Sequence, residues 1–208
     1  MSDGARAEVL ARVRAALGTG AQEAVIVPRE YDRRSLTGSP DVDRFDEAVT
    51  DYRARVFRIG PGDVAATVAT LVGSGTVAIP ADLPNDWVTG IRTVVDDPPV
   101  DVDVLDGVDA VLTGCALGIA ATGTIVLDAG AAQGRRALTL VPDHHICVIR
   151  TDQIVDTVPQ GFAALDPMRP LTFISGPSAT SDIELERVEG VHGPRTLDVL
   201  IVRDARCP

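Results

Sequence analysis

Apolar positions follow two rhythms along the chain. Over residues 5–17, Val9, Leu10, Val13, Ala16 and Leu17 form one stripe at helical spacing, and Gly18 stands where a helix terminator belongs. Residues 19–40 are polar and turn-rich, with Arg33, Arg34, Ser35, Gly38 and Pro40, and read as a linker or arm. Asp41 or Asp43 can cap a second helix whose apolar positions are Val42, Phe45, Val49 and Tyr52. From there short β-rich runs alternate with helical ones. Strands are predicted at 56–59, 76–79 and 92–95, a helix over 63–72 closed by Gly73, and one helical turn within 83–88. The acidic stretch 96–106 reads as a connection, and the small apolar run 107–121 reads as either helix or strand and turn.

The second half continues with strands at 124–127, 138–141 and 146–149. A helix from Thr151 or Asp152 carries Ile154, Val155 and Val158 and is ended or kinked by Pro159. A strand at 171–175, a short helix over 182–189 and a last strand at 197–202 follow. The alternation predicts an α/β domain with a largely parallel sheet. The runs 124–127, 138–141 and 146–149 leave no room for helices, so that region is expected to be antiparallel. The division expected is an N-terminal helix and linker arm over 1–40 and one α/β domain over 41–208.

Composition narrows the function. The chain of 208 residues can bury a full core, and with aromatics at only 3% that core must be built from Val, Leu, Ile and Ala. A net charge of −11 repels a duplex or an anionic membrane surface. All 19 basic residues are Arg, which excludes a P-loop lysine and a Schiff-base lysine. Cys115, Cys147 and Cys207 form no C-x-x-C pair, so the chain cannot supply a four-cysteine iron–sulfur cluster, and no metal site is expected. This sparse, odd count fits a reducing compartment, the first residues lack a secretory apolar core, and no run approaches the ~20 apolar residues of a membrane span. A cytoplasmic protein is expected.

Four segments could carry chemistry. Thr122-Gly123-Thr124 leads into a strand; its glycine would let a ligand approach the backbone, with hydroxyl and N–H donors beside it, or it is a tight turn. The run Gly176 to Glu184, with Ser178, Thr180 and Ser181, has the strand, small loop and helix start of an anion site, or those hydroxyls cap the helix. His192, bracketed by Gly190 and Gly193, lies near Arg195; the imidazole can move a proton and the guanidinium can fork onto a carboxylate, or the segment is a solvated turn. His144 and His145 point to opposite faces of an extended backbone, which suits a structural role better than a shared metal. Cys115 and Cys147 read as inert core thiols, and Gln133-Gly134-Arg135-Arg136 as a small basic hairpin tip that could touch a ligand's acid group but fits a solvated turn better.

Three runs, LTGCALGIAATGTIVLD at 112–128, GRRALTLVPDHHICVI at 134–149 and FISGPSATSDIELERVEGVHGPRTLDVLIV at 173–202, resemble the lactate utilization protein C (LUD-domain) family in order and spacing. The resemblance implies a Rossmann-like three-layer fold of the sugar-phosphate isomerase and CoA-transferase group (NagB/RpiA/CoA transferase-like). It also implies a part in oxidising L-lactate to pyruvate beside iron–sulfur partner proteins, which fits the missing cysteine ligands. Relatives often carry an acid where Ala121 stands, and an alanine cannot attack a thioester, so covalent CoA transfer at that turn is disfavoured.

The expected site gathers Thr122, Gly123, Thr124, Gly176, Ser178, Thr180, Ser181 and Arg195 around a small carboxylate or phosphate, with His192 and Glu184 as acid or base. No cofactor is called for: the chain shows no G-x-G-x-x-G fingerprint and no evident hydride acceptor, so catalysis by the chain alone is disfavoured. The alternatives are a stand-alone isomerase or acyl-transfer enzyme, and a non-catalytic module that senses a small acid. No nucleic acid and no membrane span are expected, and self-association into a homo-oligomer is left open.

Overall fold

The computed structural model describes residues 3–18, 26–28, 41–180, 188–189 and 193–203. The chain divides into two compact units, Met1–Tyr31 and Asp32–Pro208. Helix α1 (Asp3–Leu17) lies in the first and leaves Val9, Leu10, Val13 and Leu17 exposed.

The second unit is built on six parallel strands: β1 (Arg55–Ile59), β2 (Thr76–Ile79), β3 (Arg92–Val95), β4 (Ala110–Thr113), β7 (His144–Arg150) and β12 (Thr196–Val202). They are ordered β1-β12-β7-β4-β2-β3, and every neighbouring pair is parallel. Between β4 and β7 the chain makes β5 (Leu117–Ile119) and β6 (Thr124–Leu127). After β7 it adds β8 (Ile154–Val155) and β9 (Thr172–Ile174), which join β5 and β6 in a second sheet ordered β8-β5-β6-β9. β10 (Ala179–Thr180) and β11 (Val188–Glu189) pair antiparallel. The helices of this unit are α2 (Val42–Asp51), α3 (Val64–Val72), α4 (Val102–Asp106) and α5 (Val158–Ala164).

Strand alternation explains the layers. Successive side chains point to opposite faces, so β7 sends Ile146 and Val148 one way and Cys147 and Ile149 the other; β12 does the same with Leu200 and Val202 against Val199 and Ile201. The first face packs on Val64 and Val68 of α3. The second packs on Phe45 and Val49 of α2 and on Ile125 and Leu127 of the small sheet. Being buried on both faces, β4 and β7 read as continuous apolar runs. Asp41 caps α2: its Oδ1 accepts the Arg44 N–H at 2.9 Å.

The sequence pattern misplaced several elements. Residues 138–141 are not a strand: Arg136–Thr139 form a 3₁₀ turn, because Ala137, Leu138 and Val141 turn inward onto Leu105 and Val111. Residues 146–149 are not in an antiparallel region but form the centre of the parallel sheet; of the three runs expected to be antiparallel, only 124–127 (β6) is, paired with β5 and β9. The single helix expected from Thr151 is instead a 3₁₀ turn (Thr151–Gln153), strand β8 and helix α5, with Pro159 in the first turn of α5, where its missing N–H costs nothing. The connection 96–106 contains α4. Of the helix expected over 182–189, residues 182–187 lie outside the described residues, and Val188–Glu189 is a strand. Nor is 133–136 a solvated tip: Gln133 is buried against Asp128, and Arg135 forks onto Asp96 and the Val100 carbonyl.

Candidate functional site

The β9 edge of the second sheet flanks an open pocket of about 240 Å³ at the amino ends of β7 and β12. Its walls are Arg136, Thr139 and Leu140 from the 3₁₀ turn, the β9 edge from Thr172 through Ser178, and Gly193 and Pro194; His145 and Leu197 form its base. The Ser178 N–H donates to the Pro194 carbonyl at 2.8 Å and ties two walls together. Arg136 Nη1 donates to the Thr172 hydroxyl, and among the described residues Arg136 pairs with no carboxylate. An arginine with donors left over, facing Ser175 and Ser178, is the donor set of a small anion site.

His145 is buried at the base, between Val111 and Leu197 on the neighbouring strands. Its Nε2 is 2.8 Å from Thr113 Oγ1. Burial, and then the nearby His144, bring its pKa down to about 4, so the ring is neutral at pH 7. It can shape the cavity without adding charge.

The residues singled out from sequence are partly gathered here. Gly176 and Ser178 line the cavity. Thr122 and Thr124 lie behind it in a chain of hydroxyls: Thr122 to Thr124 at 2.7 Å, and Thr124 to Ser175 on the wall at 2.8 Å. Gly123 has φ +56 and packs so tightly on α2 that a Cβ would sit 2.6 Å from the Ala48 carbonyl carbon. Gly176 likewise has φ +85 and abuts the Tyr52 carbonyl oxygen, 2.5 Å from where a Cβ would sit. Both glycines are required by chain packing. Thr180 is described only as part of β10, and Ser181, Glu184 and His192 lie outside the described residues. Arg195 is exposed, forks onto Asp143 and is not among the residues that line the pocket, although its neighbour Pro194 is. Arg136 was singled out only as part of the basic tip at 133–136, and Thr172 and Ser175 were missed; the hydroxyl pair bracketing the apolar β9 run was the hint of those two.

A second polar cluster closes the opposite face at the same end of the sheet. Asp198 is fully buried and receives Arg55 Nε and Nη2 at 2.5 and 2.6 Å and His144 Nε2 at 2.8 Å. Burial pushes its carboxyl up, but the hydrogen bonds from His144 and Arg55 outweigh this and hold it below the ordinary carboxylate value. The adjacent histidines thus serve opposite faces, His144 bound to Asp198 and His145 to Thr113. Cys115 and Cys147 are buried beside each other; their mutual contact and burial raise the Cys115 thiol well above its ordinary value, which makes it a poor nucleophile.

The architecture is that of a Rossmann-like α/β domain with a polar pocket beside the β9 edge of a small second sheet. The LUD domain family matches residues 103–202, which contain the cavity lining. The chain is 44% identical to Lactate utilization protein C of Deinococcus radiodurans over 207 residues, 95% of each chain. It is 28% identical to Lactate utilization protein C of Geobacillus kaustophilus over 64% of each. A crystal structure of a duf162 family protein from Deinococcus radiodurans superposes with a TM-score of 0.67 at 42% identity, covering 77% of this chain and 95% of that one. The chain belongs to the lactate utilization protein C family. Among the described residues no helix is long and apolar enough to cross a membrane.

Proposed function

We propose that this protein is a cytoplasmic component of L-lactate utilization, acting in the oxidation of lactate to pyruvate beside iron–sulfur partner proteins. The observation that carries this reading is the near full-length similarity to Lactate utilization protein C of Deinococcus radiodurans. The division of labour rests on chemistry: lactate oxidation needs an electron acceptor, and three cysteines cannot hold a four-thiolate cluster.

In this reading the Arg136 cavity takes the small carboxylate, lactate or pyruvate. Its volume suits a molecule of that size, and Arg136 supplies a charge that no described carboxylate neutralises. Ser178 and Ser175 would add hydroxyl contacts. The deciding experiment is growth on L-lactate of a strain lacking only this gene, complemented by wild type, Arg136→Gln or His192→Ala. Rescue by wild type but not by Arg136→Gln supports the cavity. Growth without the gene removes the lactate role, and full rescue by Arg136→Gln removes the cavity from it.

A further inference from the structure

The other end of the parallel sheet holds a larger cleft, about 610 Å³, outside the carboxyl ends of β2, β4 and β7. In open α/β sheets ligands bind at this end, where the strand order reverses. Here β2 leads outward to β3 and the chain then returns to β4, so the reversal lies between β2 and β4, within the cleft.

The cleft differs in character along its length. On the β2 side it is lined by Trp87 and Asp82, and on the far side by Arg150 at the end of β7 and by Arg169, with their ion-pair partners Asp152 and Asp128 in the same lining. Val148 and Leu165 add apolar lining. β2 and β7 are two places apart in the sheet, with β4 between them, so the two ends are roughly 10 Å apart at the usual strand spacing. That span is far too long for lactate. It suits a flat ring joined to an anionic group.

The arginines are held in place. Arg169 Nη1 lies 2.8 Å from Asp128 Oδ2, and Arg150 Nε donates to Asp152 at 3.0 Å. Arg169 Nη2 also donates to the Ala129 carbonyl at 3.3 Å and Arg150 Nη2 reaches Asp152 Oδ2 at 3.5 Å, which leaves each guanidinium part of its five N–H donors. The wall beside them is strained: Ala129 and Ala132 have φ of 53° and 59°, a left-handed conformation costing alanine about 1–2 kcal/mol each. It persists because the Ala132 N–H donates to Asp82 at 2.9 Å, its carbonyl accepts the Gly114 N–H at 2.7 Å, and Asp128 accepts Gly130 N–H and Gln133 Nε2. Backbone strain held this firmly clusters at ligand sites.

We propose that this cleft binds a mononucleotide-class ligand, with its heterocycle against Trp87, its ribose hydroxyls toward Asp82 and its phosphate between Arg150 and Arg169. The inference is independent of the Arg136 cavity. Trp87 is the sole tryptophan of the chain, so its emission reports the cleft directly. The full-length protein is titrated with AMP and with FMN, with adenosine and inorganic phosphate as comparators, and binding is repeated by calorimetry. At least one nucleotide should give a saturable change with submillimolar Kd. Adenosine, and the Arg150→Gln variant with the same nucleotide, should each bind about tenfold or more weakly, a loss of about 1.4 kcal/mol. Arg150 is half exposed, and its variant should melt at the wild-type temperature. No saturable response to either nucleotide into the millimolar range overturns the proposal. Equal binding of adenosine, or unchanged binding by a folded Arg150→Gln, overturns it too. Pyruvate binding and lactate growth test the other cavity, so the two readings fail separately.

Discussion

His145 makes the folded protein sensitive to mild acid, and the size of the effect follows from its burial. In the unfolded chain a histidine titrates near 6.5; in the fold this ring, enclosed by Val111 and Leu197, titrates at about 4. Because the folded pKa is depressed, its stabilising contribution is full above 6.5 and is lost as pH falls toward 4. The whole span corresponds to about 3 kcal/mol, and the part between pH 7.5 and pH 5.5 to about 1.4 kcal/mol. The variant His145→Gln cannot take up a proton, yet its amide can still reach the Thr113 hydroxyl. Urea unfolding of both proteins at the two pH values isolates the contribution, since every other titrating group is common to both. The wild-type advantage over His145→Gln should shrink by about 1.4 kcal/mol on going to pH 5.5. A difference that stays constant, or grows, would refute the reasoning, because it would mean that the ring takes up its proton in the folded state at least as easily as in water.

Other outcomes follow from the same geometry. Asp198→Asn should cost about 2–3 kcal/mol in urea unfolding at pH 7, because it breaks charge-assisted bonds to Arg55 and His144 in a buried position. Wild type should lose that advantage as pH falls through the depressed Asp198 pKa, the direction expected of a lowered carboxylate. Gly123→Ala should lower stability by about 2–4 kcal/mol, from a left-handed φ and a clash with the α2 backbone; a melting temperature unchanged from wild type would show that α2 can move away. Leu112→Ala, in the centre of the sheet, should cost about 2–5 kcal/mol by the same assay. Arg136→Gln should weaken pyruvate binding measured by calorimetry about tenfold while leaving the melting temperature unchanged, since the side chain is exposed and, among the described residues, it hydrogen-bonds to Thr172 alone.

Local pattern determined much of this protein. The helical stripes ending at Gly18 and Gly73, the cap at Asp41 and the apolar runs of β2, β3, β6 and β12 were legible because each reflects a period, a cap or a buried strand written in neighbouring residues. The family, too, was legible from three runs in the second half. Where the pattern erred, partners distant in sequence made the decision. Leu138 and Val141 look like strand residues, but the sheet position they would take belongs to β7, and they turn onto Leu105 instead. Arg136 looked like a solvated turn residue until β9, some 36 positions on, brought Thr172 to its side. Gly123 could be read as an opening for a ligand or as a tight turn; the Ala48 backbone, 75 residues earlier in the chain, fills the space that its missing side chain leaves. The cleft at the carboxyl ends has no local motif, because Asp82, Trp87, Arg150 and Arg169 share nothing but the strand order that assembles them. A period constrains one element at a time, whereas a site is a meeting of elements, and only the tertiary structure fixes which of them meet.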